Sequence, residues 1–406
     1  MREVRRMRVL NLDKEGEFLP ETLEYMGNVS LENRKKRGQF FTPKSIREKL
    51  LSILPKKKNA KVIDPGCGTG EFLLSAKEYF GDAELYGWEI EDKLVEMAQK
   101  IVPDACIEKA DALRKEYREE FDFVIGNPPY YEFQPDNGIR RKFSEIIRGR
   151  VNIYSLFIWL GIKLLKKGGY LAYVVSPSMN NGAYFAKLRK FIVRNADIEY
   201  MKVLDSSQFF EGALQSVMLF VLKKGPNKGD HIFKKNEILI FSEGSNYLKK
   251  AFEGKTTLHE LGYKVVTGSI VWNQNKQLLT NRSEGTIPLI WAHNITTEGL
   301  KLGNNRKPQH IKVNKYNVGP AVVVNRIVGR PGTGAIRATL IPPGMKFLGE
   351  NHVNVIFPPK EANLSDLEYI VNQLNSPEKL EVVRSITGNT QISKNELEKL
   401  FPIDAG

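Results

Sequence analysis

Lys61-Val62-Ile63-Asp64-Pro65-Gly66-Cys67-Gly68-Thr69-Gly70-Glu71 decides the fold of this chain. A short apolar run ends in an aspartate, a glycine-rich turn follows, and an amphipathic segment starts at once. In that segment Phe72, Leu73, Ala76 and Phe80 recur at helical spacing. The next apolar runs are Leu85 to Trp88, Ala105 to Ile107 and Phe121 to Ile125, with Leu94, Val95, Ala98 and Ile101 marking a second helix. Strands alternating with helices predict right-handed βαβ units and a parallel sheet. Ile153, Leu156, Phe157, Leu160 and Leu164 extend the pattern with a further amphipathic helix. Strands at Tyr170 to Val175, Glu199 to Leu204 and Gln215 to Leu222 bring the total to seven. The expected class is α/β, a seven-stranded Rossmann-like sheet.

Each of the first four runs leads into a polar residue: Asp64, Glu89, Asp111 and Asn127. Ligands of open α/β sheets bind outside the carboxyl ends of the strands, so these four outline one site. The loop after Asp64 is not a dinucleotide fingerprint, because Glu71 occupies the place of the last glycine. No Gly-Lys-Ser/Thr follows, so it is not a phosphate loop either. Asp64 and Glu71 would repel a pyrophosphate and tolerate a cation. Glu89 stands where a carboxylate takes both hydroxyls of a ribose, and Asp111 where an adenine amine can donate. An adenosine carrying positive charge and no phosphate fits, which points to S-adenosylmethionine.

The fourth strand runs out through Phe121-Asp122-Phe123-Val124-Ile125-Gly126-Asn127-Pro128-Pro129-Tyr130. Two prolines in succession prevent a helix or a ladder and keep the backbone extended. The Asn127 amide and the Pro128 carbonyl are thereby fixed at the strand's exit, with the Tyr130 ring just beyond. Two acceptors beside a flat ring can hold a planar amine.

Taken in order, Gly38-Gln39-Phe40-Phe41-Thr42-Pro43, the Asp64 to Gly70 loop, Asn127 to Tyr130 and a long C-terminal extension resemble one family. It is the gamma class of DNA adenine amino-methyltransferases, found in restriction–modification systems. The likeness is good from about Lys35 to Lys224. It implies transfer of a methyl group from S-adenosylmethionine to the N6 amine of an adenine flipped out of double-stranded DNA. It also implies roles: Thr42 on the methionine carboxylate; Asp64, Pro65, Gly66 and Cys67 around the methionine and its amino group; Glu89 on the ribose; Asp111 on the cofactor adenine. Asn127 and Pro128 would accept from the target amine, Pro129 would border the cofactor, and Tyr130 would stack on the flipped base. An aromatic before the last central strand would be the second stacking ring, Phe210 or else Phe209. The chemistry suits these residue types. The amine of adenine is a poor nucleophile because its lone pair is delocalised, and two acceptors aimed at its hydrogens localise that pair. What remains is in-line positioning. No metal is required, and His231, His259, His293, His310 and His352 are scattered without ligand spacing. Asn-Pro-Pro-Tyr also serves enzymes that methylate RNA bases or a protein glutamine amide. The basic extension after the motif favours nucleic acid over protein.

The chain of 406 residues carries a net charge of +14. From Gly299 to Gly349 it has no Asp or Glu, while Lys and Arg recur throughout. Such one-signed stretches have the character of a phosphate-contacting surface. Arg326, Arg330 and Arg337, in a turn-rich part of it, are the candidates for DNA contact. A polar Gly/Pro-bearing linker from Lys223 to Gly229 divides the chain. The expected domains are an N-terminal segment 1–34, a catalytic domain 35–227 and a mixed α/β target-recognition domain 228–406. The charged N-terminus predicts no secretory leader, and the most apolar helix is too short for a membrane span. Two cysteines make no disulfide framework. A cytoplasmic monomer is expected, with any cognate endonuclease on a separate chain.

Overall fold

A computed structural model describes residues 16–204, 216–303, 307–326, 335–387 and 392–405. The chain divides into two compact units, Met1–His231 and Ile232–Gly406.

The first unit opens with three helices, α1 (Pro20–Asn28), α2 (Leu31–Lys36) and α3 (Lys44–Leu51). Then follow β1 (Lys61–Asp64), α4 (Glu71–Phe80), β2 (Glu84–Glu89), α5 (Asp92–Ile101), β3 (Cys106–Lys109) and β4 (Phe121–Gly126). After them come α6 (Ile153–Leu164), β5 (Leu165–Val175), α7 (Ala186–Asn195), β6 (Ala196–Leu204) and β7 (Val217–Lys224). The seven strands form one sheet in the order β3-β2-β1-β4-β5-β7-β6. β1 pairs in parallel with β2 and β4, with Val62 against Leu85 and Ile63 against Val124. β4 is parallel to β5, and β7 alone runs antiparallel, between β5 and β6. The strand order therefore reverses between β1 and β4. That junction is where an open α/β sheet leaves a crevice.

Alternation along β4 explains how both faces are filled. Phe123 and Ile125 join Val62, Leu73, Ala76 and Phe80 in a core under α3 and α4. Val124 faces the other way, toward α6, which is apolar all round and buried at nearly every position. Gly161 allows that close approach, because a Cβ there would stand 2.5 Å from a methyl of Leu171. β5 starts at Leu165 rather than at Tyr170. Lys166-Lys167-Gly168-Gly169 is carried within the strand by a register shift opposite Phe121 and Phe123.

The second unit is mixed α/β. Its main sheet is antiparallel and is built from β8 (Lys264–Thr267), β9 (Ala321–Asn325), β10 (Ala338–Ile341) and β11 (Val353–Phe357), in the order β8-β11-β9-β10. Val322, Val324 and Ile356 pack on one face against Leu367, Ile370 and Leu374 of the helix Leu364–Asn375. Val323, Val353 and Val355 pack on the other against Ile290 and Phe347. Short strands, including Ile287–Ile290 and Lys346–Gly349, make a second sheet beyond them. No helix among the described residues is long and apolar enough to cross a membrane.

Candidate active site

A cleft of about 750 Å³ opens over the carboxyl ends of β1, β2 and β4. Thr42, Asp64, Pro65, Gly66, Cys67, Glu89, Asp111, Asn127 and Pro129 all border it. Six acids line the cleft against three bases, Lys36, Arg37 and Arg47. Each of those bases is paired: Lys36 with Glu32, Arg37 with Glu91, and Arg47 with Glu71. The site therefore presents net negative charge to a ligand and disfavours a pyrophosphate.

Asp64 ends β1 at 3% exposure. Its Oδ1 accepts from the Gly66 amide at 3.1 Å, yet burial, with Glu89 nearby, pushes its carboxyl up to about 8. Gly126 makes room for it. At φ +142 a Cβ there would stand 2.5 Å from Asp64 Oδ1, so β4 has to end in glycine to pass that carboxylate. Glu89 ends β2 and is fixed by backbone donors: Gly68 at 3.0 Å on Oε2, Ile90 at 2.8 Å and Glu91 at 3.0 Å on Oε1. Burial still raises its carboxyl above the usual range, with those amides acting against the rise. Asp111 follows β3, takes the Leu113 amide at 3.0 Å on Oδ1 and keeps an ion pair to Arg114 at 3.2 Å. Burial pushes the Cys67 thiol well up, so it stays neutral.

Residues 36–42 and Arg47 also line the cleft, and α1 lies next to its glycine-rich loop. The backbone N–H of Leu19 donates to Glu71 at 3.0 Å, and Thr22 Oγ1 donates to Thr69 Oγ1 at 3.1 Å, so α1 is latched to the glycine-rich loop. Arg47 closes the latch with a buried ion pair to Glu71 at 2.6 Å and a hydrogen bond to the Thr42 carbonyl. Gln39 and Tyr25 both donate to Glu91. Thr42 Oγ1 is buried with no hydrogen-bond partner. A buried hydroxyl left unmatched is costly unless a ligand completes it. With two buried carboxylates and a glycine-lined loop, that hydroxyl fits an adenosyl amino acid with a cationic and an anionic end.

The segment from Gly38 to Thr42 also reaches Asn127 to Tyr130, just beyond β4. Gly38, at φ +66, packs so tightly that a Cβ would meet the Tyr130 nitrogen at 2.6 Å and Pro129 at 3.1 Å. Asn127 Nδ2 donates to the Phe40 carbonyl at 2.7 Å. The Tyr130 hydroxyl reaches both Asn127 Oδ1 and, at 2.6 Å, the Val174 carbonyl.

Residues 15–279 match the N-6 DNA Methylase family, more than half of the chain. The chain belongs to that family. It is an adenine-specific DNA methyltransferase, and its methyl donor is S-adenosylmethionine. Modification methylase CviBIII of Paramecium bursaria Chlorella virus NC1A is 25% identical, over 76% of this chain and 79% of that protein. Type II methyltransferase M.BsuBI of Bacillus subtilis is 27% identical, over 92% and 89%. M.VspI of Vibrio sp. (strain 343) is 26% identical, over 71% and 78%.

The fold of this methylase brings nine of the sequence-predicted residues to one cleft and sets others apart. Pro128 and Tyr130 are not among the residues that line this cleft, whereas Tyr131 borders it. Sequence reasoning missed Tyr131, Gln39, Arg37, Glu91 and the Arg47–Glu71 pair. The first of these had a signal, a second tyrosine directly after the motif. The others had none, because their pairing joins positions far apart in the chain. Phe209 and Phe210 lie outside the described residues, as does Arg330. Arg326 is half-buried and donates to the Asn351 carbonyl at 2.9 Å, whereas Arg337 is exposed.

Proposed function

We propose that this methylase acts at a specific sequence in double-stranded DNA and methylates N6 of an adenine extruded from the duplex, as the modification enzyme of a restriction–modification system. The relatives' names, a modification methylase and two type II methyltransferases, support the system. Motif order supports the gamma class: cofactor loop, then Asn-Pro-Pro-Tyr, then a basic C-terminal unit. The carrying observation is the Asn127 amide, standing at the switch point of the sheet beside a cleft suited to the donor and oriented by the Phe40 carbonyl at 2.7 Å.

When bound, S-adenosylmethionine supplies an activated methyl group. Asp64 holds its ammonium, Thr42 Oγ1 its carboxylate, Glu89 its ribose hydroxyls and Asp111 its adenine amine. Asn127 Oδ1 and the Pro128 carbonyl accept from the two hydrogens of the target amine, which localises the nitrogen lone pair and aims it across the cleft. Extruding the base costs a few kcal/mol, and each aromatic surface it meets returns roughly 1–3 kcal/mol. Tyr130 and Phe210 are the rings proposed for that role. In the basic unit, exposed Arg337 and neighbouring lysines take the duplex.

Incubating the purified protein with genomic DNA and labelled donor should yield N6-methyladenine in one sequence context, found by nucleoside analysis and single-molecule mapping. Asn127→Ala should reduce it to a slow residual rate, readable only with enzyme in excess and labelled donor, while donor binding persists. Label in RNA or protein but not DNA would refute the assignment.

A further inference from the structure

Tyr130 is placed as a stacking ring by the reading above, but its hydroxyl is committed to the protein. A phenol carries one hydrogen, and two acceptors stand within its reach, Asn127 Oδ1 and the Val174 carbonyl on β5. On its other end the Asn127 amide is held by Phe40, which takes Nδ2 at 2.7 Å. The two contacts remove the rotation that would exchange the oxygen and nitrogen of the amide. A turned amide would point N–H groups at the N–H groups of adenine and would provide no acceptor.

We infer that Tyr130 is a positioning residue, whose hydroxyl keeps the acceptor oxygen of Asn127 facing the target amine. The inference rests on the adenine reading of this site and deepens it. Asn127 Oδ1 has two lone pairs, so it can keep the phenolic hydrogen bond on one and accept from the target amine on the other. The Val174 carbonyl, 2.6 Å from the same hydroxyl, fixes where that hydroxyl sits. No proton leaves the phenol, and burial raises its pKa well above the ordinary value, in keeping with a hydroxyl that stays neutral. The ring is braced for this duty. It meets Phe40 at 6.1 Å and Tyr154 edge-on at 5.9 Å, and Gly38 presses against its backbone nitrogen.

Tyr130→Phe keeps the ring and removes the hydroxyl. Single-turnover methyl transfer should fall about 10- to 100-fold, the scale of a misplaced reacting group. Donor and duplex dissociation constants should stay within about twofold of the parent, which excludes a folding defect. A fluorescent adenine analogue at the target position should still report extrusion. In an Asn127→Ala background, with enzyme in excess and labelled donor, adding Tyr130→Phe should cost nothing more, because its effect passes through Asn127. Tyr130→Phe with the parent's rate overturns the inference, as does the same loss in both backgrounds. A parent protein that makes no N6-methyladenine instead overturns the adenine reading itself.

Discussion

Asp64 shows how one residue's surroundings set its chemistry. Its carboxyl lies at about 8 because the sheet and the Pro65–Gly70 loop keep water from it. It therefore binds a proton more tightly folded than unfolded. That contribution to stability is complete below the ordinary carboxylate range and is lost as pH rises through about 8. A bound ammonium favours the ionised form, so donor binding should release a proton near neutrality. Affinity should rise between about pH 6 and 7.5, by at most about tenfold per unit, before the donor's own amino group begins to deprotonate. Calorimetry in two buffers of different ionisation enthalpy measures the release. Asp64→Asn should abolish it, and a parent that releases no proton would refute this role for Asp64.

Among the elements, β4 does most to unite core and cleft. Phe123 on its buried face is 2% exposed, so Phe123→Ala should cost about 3–5 kcal/mol of stability and leave the cleft lining in place. Gly126 at its end touches the Asp64 carboxylate. Gly126→Ala should cost about 1–3 kcal/mol from backbone strain alone, and should in addition weaken donor binding. The two variants separate by titration with donor well below their unfolding temperatures, where only Gly126→Ala is expected to bind weakly. Equal donor affinity in both would mean that the glycine serves packing alone. This level of structure is largely legible in the residues. Apolar runs and helical spacing define strands and helices locally, and the polar residues after them follow from strand direction. The starts of β5 and β6 are exceptions: β5 begins at Leu165 and not at Tyr170, and β6 at Ala196 and not at Glu199, because how far a strand extends depends on its pairing partner.

Across the whole molecule, net charge is shared equally between the two units, but the acid-free stretch Gly299 to Gly349 lies in the second, where Lys312, Lys315 and Lys346 are exposed. Replacing all three with Ala should weaken binding alike on cognate and unrelated duplexes. The salt slope should fall by about 0.9 for each phosphate that no longer meets a lysine. Arg337→Ala should instead change which sites are methylated, as expected of a side chain that reads a base edge. Binding titrations over a range of salt, with mapping of methylated sites, distinguish the two. An unchanged slope in the triple variant would place the duplex elsewhere on the protein.

The order of apolar runs, glycine-rich turn and Asn-Pro-Pro-Tyr determined by itself the sheet, its cleft and four of the polar groups in it, because each is set by a few consecutive residues. Only the tertiary structure decided which way those groups face. Asn127 is oriented by a carbonyl from residue 40, Glu71 is matched by Arg47, and Thr42 is left with an unanswered hydroxyl. Hydrogen bonds between distant segments depend on how the chain returns on itself, and no local pattern of residues encodes that return.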